Sequence, residues 1–162
     1  MKTKNIITVL LLTLAVSFSS CEEKESVKLG ALSFTCIAQQ NIGSRYEKGV
    51  RENIIIRNQR GWENLKMSMC ESVIFNETEI DFRNYQIMAV FDEERPDFLW
   101  SISVMSITEY SDKIVVDITV ESHSICFSLP AISRPFHVVK LPASRKRIEF
   151  RDGYKFNNQD CD

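Results

Sequence analysis

Alternation of apolar and polar side chains runs through most of the chain and predicts strands. Gln86–Phe91 is an unbroken apolar run, the pattern of a strand covered on both faces. After an acidic stretch, Asp92–Asp97, the segment Phe98–Tyr110 alternates as a long strand. Past a Ser111–Asp112 turn, Lys113–Ser122 alternates again, with Ile114, Val116, Ile118 and Val120 on one face and Val115, Asp117, Thr119 and Glu121 on the other. Together these read as a meander core, 86–122. Its phase slips at Val104–Met105: Trp100, Ile102 and Val104 share one face, but Met105 and Ile107 continue the other, which predicts a β-bulge.

The flanks supply the remaining elements. Leu32–Gln39 alternates, Glu52–Arg57 carries Ile54–Ile56, and Arg147–Arg151 places Ile148 and Phe150 inward. Pro135–Leu141 is bracketed by prolines, which predicts an edge strand. Asn58 is an N-cap for a helix over Gln59–Met69, whose Trp62, Leu65 and Met69 form one apolar stripe and make Trp62 the anchor on the sheet. The fold class is α+β, mostly antiparallel β with about seven strands and one helix packed on the sheet.

The start of the chain changes the picture of where this domain sits. A basic Met1–Asn5 precedes the apolar run Ile6–Val16, too short to span a bilayer as a permanent helix. Small residues then lead into Cys21, an arrangement that resembles the lipobox of bacterial lipoproteins. That resemblance implies a signal peptide over 1–20 and a lipidated Cys21 as first mature residue. It also implies a membrane anchor of several acyl chains, firmer than a single chain gives. Glu22 and Glu23 resemble the short acidic signal that directs some lipoproteins to the outer cell surface. The expected location is the outer membrane, at its periplasmic face or the cell surface. The expected organisation is a tether over 21–31, one domain over 32–156 and a polar tail over 157–162.

Charge and cysteines narrow the chemistry. Removing 20 of the 162 residues takes Lys2 and Lys4 with it and moves the net charge from −2 to −4. A mildly acidic chain without a basic stripe argues against nucleic acid. Four cysteines remain beyond Cys21, namely Cys36, Cys70, Cys126 and Cys161. In an exported chain an even number suggests disulfides, with three connectivities open. Cys36–Cys161 with Cys70–Cys126 is the arrangement that would tie the tail to the start of the domain, and free buried thiols are the alternative. None of the four forms a CxxC, so redox and zinc-ribbon readings lack support.

Catalytic signatures are missing: no GxSxG, HExxH, P-loop or GxGxxG occurs. Cys126 and His123 stand three apart in an extended segment and face opposite sides, and His137 alternates within a strand. Asp92, Glu93, Glu94 and Asp97 lack the glycine and spacing of a calcium loop and read as a solvated hairpin tip. Arg145–Arg147 reads as a charged turn with an anion-binding alternative. No enzyme, metal or cofactor is expected.

Ile80–Phe91, the tip ending in Arg95–Pro96, the strand Ser101–Val104 and the later Ser133–Pro142 resemble the PrcB C-terminal-domain-like family, with Ile54–Leu65 fitting its start. The likeness spans roughly Val50–Phe150. It implies a small bacterial lipoprotein, and its namesake is a subunit that associates with an exported subtilisin-like protease. The family carries a Gly-Gly pair after the Arg-Pro tip where this chain has Phe98-Leu99-Trp100, so the loop is remodelled. Bulky side chains beside a charged tip make Phe98, Leu99 and Trp100 a candidate interaction patch. The expected function is binding another protein, an exported protease being the partner that the resemblance implies. The alternative is a cell-surface module for a small ligand or glycan, with Tyr46, Trp62 and Trp100 as stacking candidates.

Overall fold

A computed structural model of the chain describes residues 25–43, 49–69, 72–123 and 131–157. Eight strands and one helix lie among them: β1 (Lys28–Ala31), β2 (Thr35–Gly43), β3 (Glu52–Ile56), α1 (Gln59–Ser68), β4 (Tyr85–Phe91), β5 (Trp100–Tyr110), β6 (Lys113–His123), β7 (Ser133–Pro142) and β8 (Arg147–Asn157). The strands form two four-stranded sheets, a central one ordered β2-β7-β4-β3 and an outer one ordered β1-β5-β6-β8. All neighbours are antiparallel except β6 and β8, which are parallel.

The central sheet is buried on both faces, which is why Gln86–Phe91 reads as continuously apolar. Ile87, Ala89 and Phe91 of β4 join Trp62 and Leu65 of α1 in one apolar cluster. Met88 and Val90 join Ile102, Val104, Ile107, Ile114, Val116, Ile118 and Val120 of the outer sheet in a second. Three layers result: helix and loops, central sheet, outer sheet. The expected helix forms where the sequence places it. The Asn58 side chain accepts the Gly61 N–H at 2.8 Å, a cap worth about 1 kcal/mol. Trp62 is fully buried, donates its indole N–H to the Thr78 carbonyl at 2.9 Å and meets Phe75 edge-on. The bulge also forms: the β5–β6 register shifts between Val104 and Ser106, leaving Met105 exposed and Ile107 buried.

Four expectations are corrected. There are eight strands rather than seven, because Lys28–Ala31, placed in the tether, pairs with β5. Gly30 at φ +157°, in the backbone region that favours glycine, marks a register shift there. The 86–122 meander does not exist as one sheet: β4 pairs with β3 and β7, while β5 and β6 lie in the other layer. Alternation along a strand reports its faces and is silent on its neighbours, so the sequence could not separate the two arrangements. β7 is central rather than an edge strand. Pro142 sits at the last pair with β4, and Pro135 lies beyond the first, so neither interrupts that ladder. Finally, β8 runs on past Arg151, where the expected strand ends, through Asp152, Tyr154 and Phe156. It lies parallel to β6 because the connection between them passes through β7 in the other sheet.

Candidate functional site

At its C-terminal end β4 runs into Asp92, whose carboxylate is 1% exposed and lies between two guanidiniums. Arg95 Nε stands 2.8 Å from Oδ2, and Arg51 Nη1 3.3 Å from Oδ1. Arg51 also pairs with Asp152 of β8, and Arg95 with Glu93 at 3.0 Å. Beneath them the buried Arg134 donates from Nε to the Asp92 carbonyl at 2.9 Å and lies 4.9 Å over the Phe91 ring. Burial opposes the Arg95 charge. The hydrogen bond and charge of Asp92, with Glu93 and Tyr154 nearby, outweigh it and raise the Arg95 pKa. The expected solvated tip is therefore corrected at Asp92: the aspartate is the buried centre of an ion network joining the β4 end, the β3 entry and β8.

That network fixes the loop presenting the aromatic residues. Arg95 and Ser133 exchange backbone hydrogen bonds at 2.7 and 3.0 Å. The Asp97 carboxylate accepts the Leu99 N–H, the Leu99 carbonyl accepts the His123 N–H, and Asn41 Nδ2 donates to the Phe98 and Trp100 carbonyls. On this fixed backbone Phe98 is 51% exposed, whereas Leu99 and Trp100 are half-buried. Arg95 lies 4.1 Å from the Trp100 ring centre, and Phe156 meets that ring edge-on at 6.1 Å. Register explains the meeting. Trp100 pairs with Ser122 and Ser122 with Phe156, so one small serine separates two rings on the same face. Phe156 is 65% and Tyr154 54% exposed, extending the patch along β8. The sequence carries a signal for them: Phe150, Asp152, Tyr154 and Phe156 keep the two-residue period past Arg151, where the expected strand ends.

The other candidate residues do not converge on this tip. Trp62 is core and drops out as a stacking residue. Tyr46 lies outside the described residues, as do Cys21, Cys70, Cys126 and Cys161. Cys36 is a free, exposed thiol at the start of β2, and its candidate pairing with Cys161 falls on a residue outside the described ones. His123 has Ser101 Oγ 3.4 Å from its Nε2, and Cys126, which the sequence sets on the opposite side, lies outside the described residues. His137 is 4% exposed, and its Nδ1 accepts the Val104 N–H at 2.9 Å, filling the gap opened by the β5 bulge. Burial pushes its pKa down to about 4. In the Arg145–Arg147 turn, Lys146 pairs with Glu109 and Arg147 with Glu149.

The described residues thus define a class: a two-sheet, β-rich domain with one covering helix and an arginine-braced aromatic tip. No protein-family model, curated protein or solved structure matches the chain. The likeness to the PrcB C-terminal-domain-like family accordingly rests on its strand segments alone. Among the described residues no helix is long and apolar enough to cross a membrane.

Proposed function

We propose that this chain is an envelope lipoprotein, anchored in the outer membrane through Cys21, whose β-rich domain binds another protein without catalysing a reaction. The tip is the surface that binds. One observation carries this reading: Phe98, Tyr154 and Phe156 stand more than half exposed on a backbone held by the Asp92–arginine network. Rigid exposed aromatics beside arginine are the usual composition of an interface hot spot, because they bury much area at small entropic cost. An exported protease remains the partner class suggested by the family likeness. Glycan binding is the weaker reading, since Arg95 already occupies a face of Trp100 and Phe156 meets it edge-on.

The test is a photo-crosslinking amino acid placed at Phe98 in the lipidated protein on intact cells, with a control at Met67, exposed on α1. One envelope protein captured from position 98 and not from 67 supports the reading. Equal capture from both positions, or none from position 98, removes it.

A further inference from the structure

The opposite end of the central sheet holds a second arrangement. Where β4 begins at Tyr85 and β7 ends at Pro142, a pocket of about 430 Å³ opens between the two strand ends. Arg57, Arg83 and Arg145 line it, with Tyr85 and Ser144, and no carboxylate does. None of these three arginines forms an ion pair among the described residues, although most of the other described cations do. Arg57 is held from inside. Its Nε donates to Gln86 Oε1 at 3.1 Å and to the Ser144 carbonyl at 3.2 Å, which keeps the guanidinium at the pocket wall. Asp81, whose charge interacts with that of Arg83, is engaged locally: its carboxylate accepts the Arg83 backbone N–H at 3.0 Å and the Asn84 amide at 2.8 Å. Three arginines lining one pocket, among the described residues none of them in an ion pair and only Arg83 within the field of a carboxylate, suit an anion, and their planar forks match a carboxylate.

Arg57 also lines a second opening, an apolar groove of about 420 Å³ between β3 and α1, with Ile54, Ile56, Gly61 and Leu65 in its walls. β3 is the last strand of the central sheet, and among the described residues only β4 pairs with it. Its outer edge therefore offers unpaired backbone N–H and C=O groups beside the groove. Unpaired peptide groups, an apolar slot and an arginine pocket follow one another along the chain direction of β3. We propose that this composite site binds an extended peptide ending in a free carboxylate. The peptide adds to the β3 edge, running parallel to it, seats an apolar side chain between Ile54 and Leu65, and places its terminal carboxylate among Arg57, Arg83 and Arg145. This goes beyond the aromatic tip and does not depend on it.

Fluorescence anisotropy of the full-length lipidated chain in detergent tests the proposal. The probes are labelled hexapeptides of alternating valine and threonine ending in leucine, valine, phenylalanine or alanine, each as free acid and as C-terminal amide. At least one acid is expected to bind saturably, with its amide about tenfold weaker or worse. The double variant Arg83→Ala/Arg145→Ala should bring acid and amide to the same affinity without shifting the Tm. Phe98→Ser should leave peptide binding unchanged. The proposal is overturned if no acid binds, if acid and amide bind alike, or if inorganic phosphate displaces the peptide at concentrations equal to the peptide's own. A loss of peptide binding on Phe98→Ser would overturn it as well, and would assign the peptide to the tip.

Discussion

The two ends of β4 use arginine in opposite ways. At Phe91–Asp92 a buried carboxylate meets two guanidiniums, and a third packs beneath on Phe91. Seven residues away, roughly 20 Å along the strand, Arg57, Arg83 and Arg145 face a pocket that holds no acid. Charge satisfied internally holds a shape, here the loop that displays Phe98. Charge left unsatisfied at a pocket wall is available to a ligand. The contrast teaches that arginine density alone does not mark a binding site; what separates the two ends is whether the protein supplies the counter-charge.

The largest effect is expected where the counter-charge is buried. Asp92→Ala takes away the buried partner that Arg51 and Arg95 share and leaves them only the more exposed Asp152 and Glu93, which costs up to about 3–5 kcal/mol for a broken buried pair. Urea unfolding monitored by tryptophan fluorescence measures it. A loss under about 1 kcal/mol would mean that the network relaxes into solvent and that the tip is not braced by it.

Between the two ends lies His137, on β7 and facing the outer sheet. Its Nδ1 accepts a backbone N–H, so the proton of the neutral ring sits on Nε2, which has no partner among the described residues. Protonation would have to occur at Nδ1, breaking the Val104 bond and burying a charge. Its folded pKa of about 4 lies below the unfolded value of 6.5, so the stabilisation is complete above about pH 6.5 and is lost as the pH falls toward 4. The loss amounts to about 3 kcal/mol at the low end of that window. The carboxylates with lowered pKa, such as Asp81 and Glu149, start from 3.8 and 4.5, so they add to the loss only near and below the low end. Stability measured in urea from pH 7 to 4.5 should fall for the wild type and stay flatter for His137→Asn; equal slopes would place the titration elsewhere.

How much of this was legible in the sequence depends on range. The helix, its Asn58 cap, the Trp62 anchor and the Val104 bulge are local events, set by residues within a few positions, and they stand where the periodicity puts them. Strand neighbours are not local. The same alternation in Trp100–Tyr110 suits pairing with β4 or with β1 and β6, and only packing of the whole chain selects the second. At the tip, Phe98 was legible because bulky residues replaced an expected turn. Tyr154 and Phe156 keep the strand period, but the place of Phe156 beside Trp100 depends on β8 pairing with β6, which the period does not encode. The arginine pocket assembles from the end of β3, the loop before β4 and the loop after β7, segments whose meeting no spacing encodes.

A smaller stability effect, with a large functional one, is expected at the exposed part of the tip. Phe98→Ser and Phe156→Ser remove side chains that are 51% and 65% exposed, so each should cost under about 1 kcal/mol. Trp100→Ala should cost more, since its ring packs on the inter-sheet cluster and carries Arg95. Comparing the three by thermal unfolding separates display from support. A Phe98→Ser loss as large as that of Trp100→Ala would make Phe98 a packing residue and weaken the claim of the tip as an interface.

The smallest effect belongs to the far end, and its smallness is the informative part. Arg83 and Arg145 are exposed and lack ion-pair partners among the described residues, so Arg83→Ala/Arg145→Ala removes no ion pair, only the solvent-screened attraction of Arg83 to Asp81. It also relieves repulsion between like charges around Arg57. Unfolding free energy should stay within about 0.5 kcal/mol of wild type, on either side of zero. If the pair proves destabilising by 2 kcal/mol or more, those arginines brace the strand ends as Arg51 and Arg95 brace the tip. The two ends of β4 would then be doing the same job, and the pocket would lose its claim to a ligand.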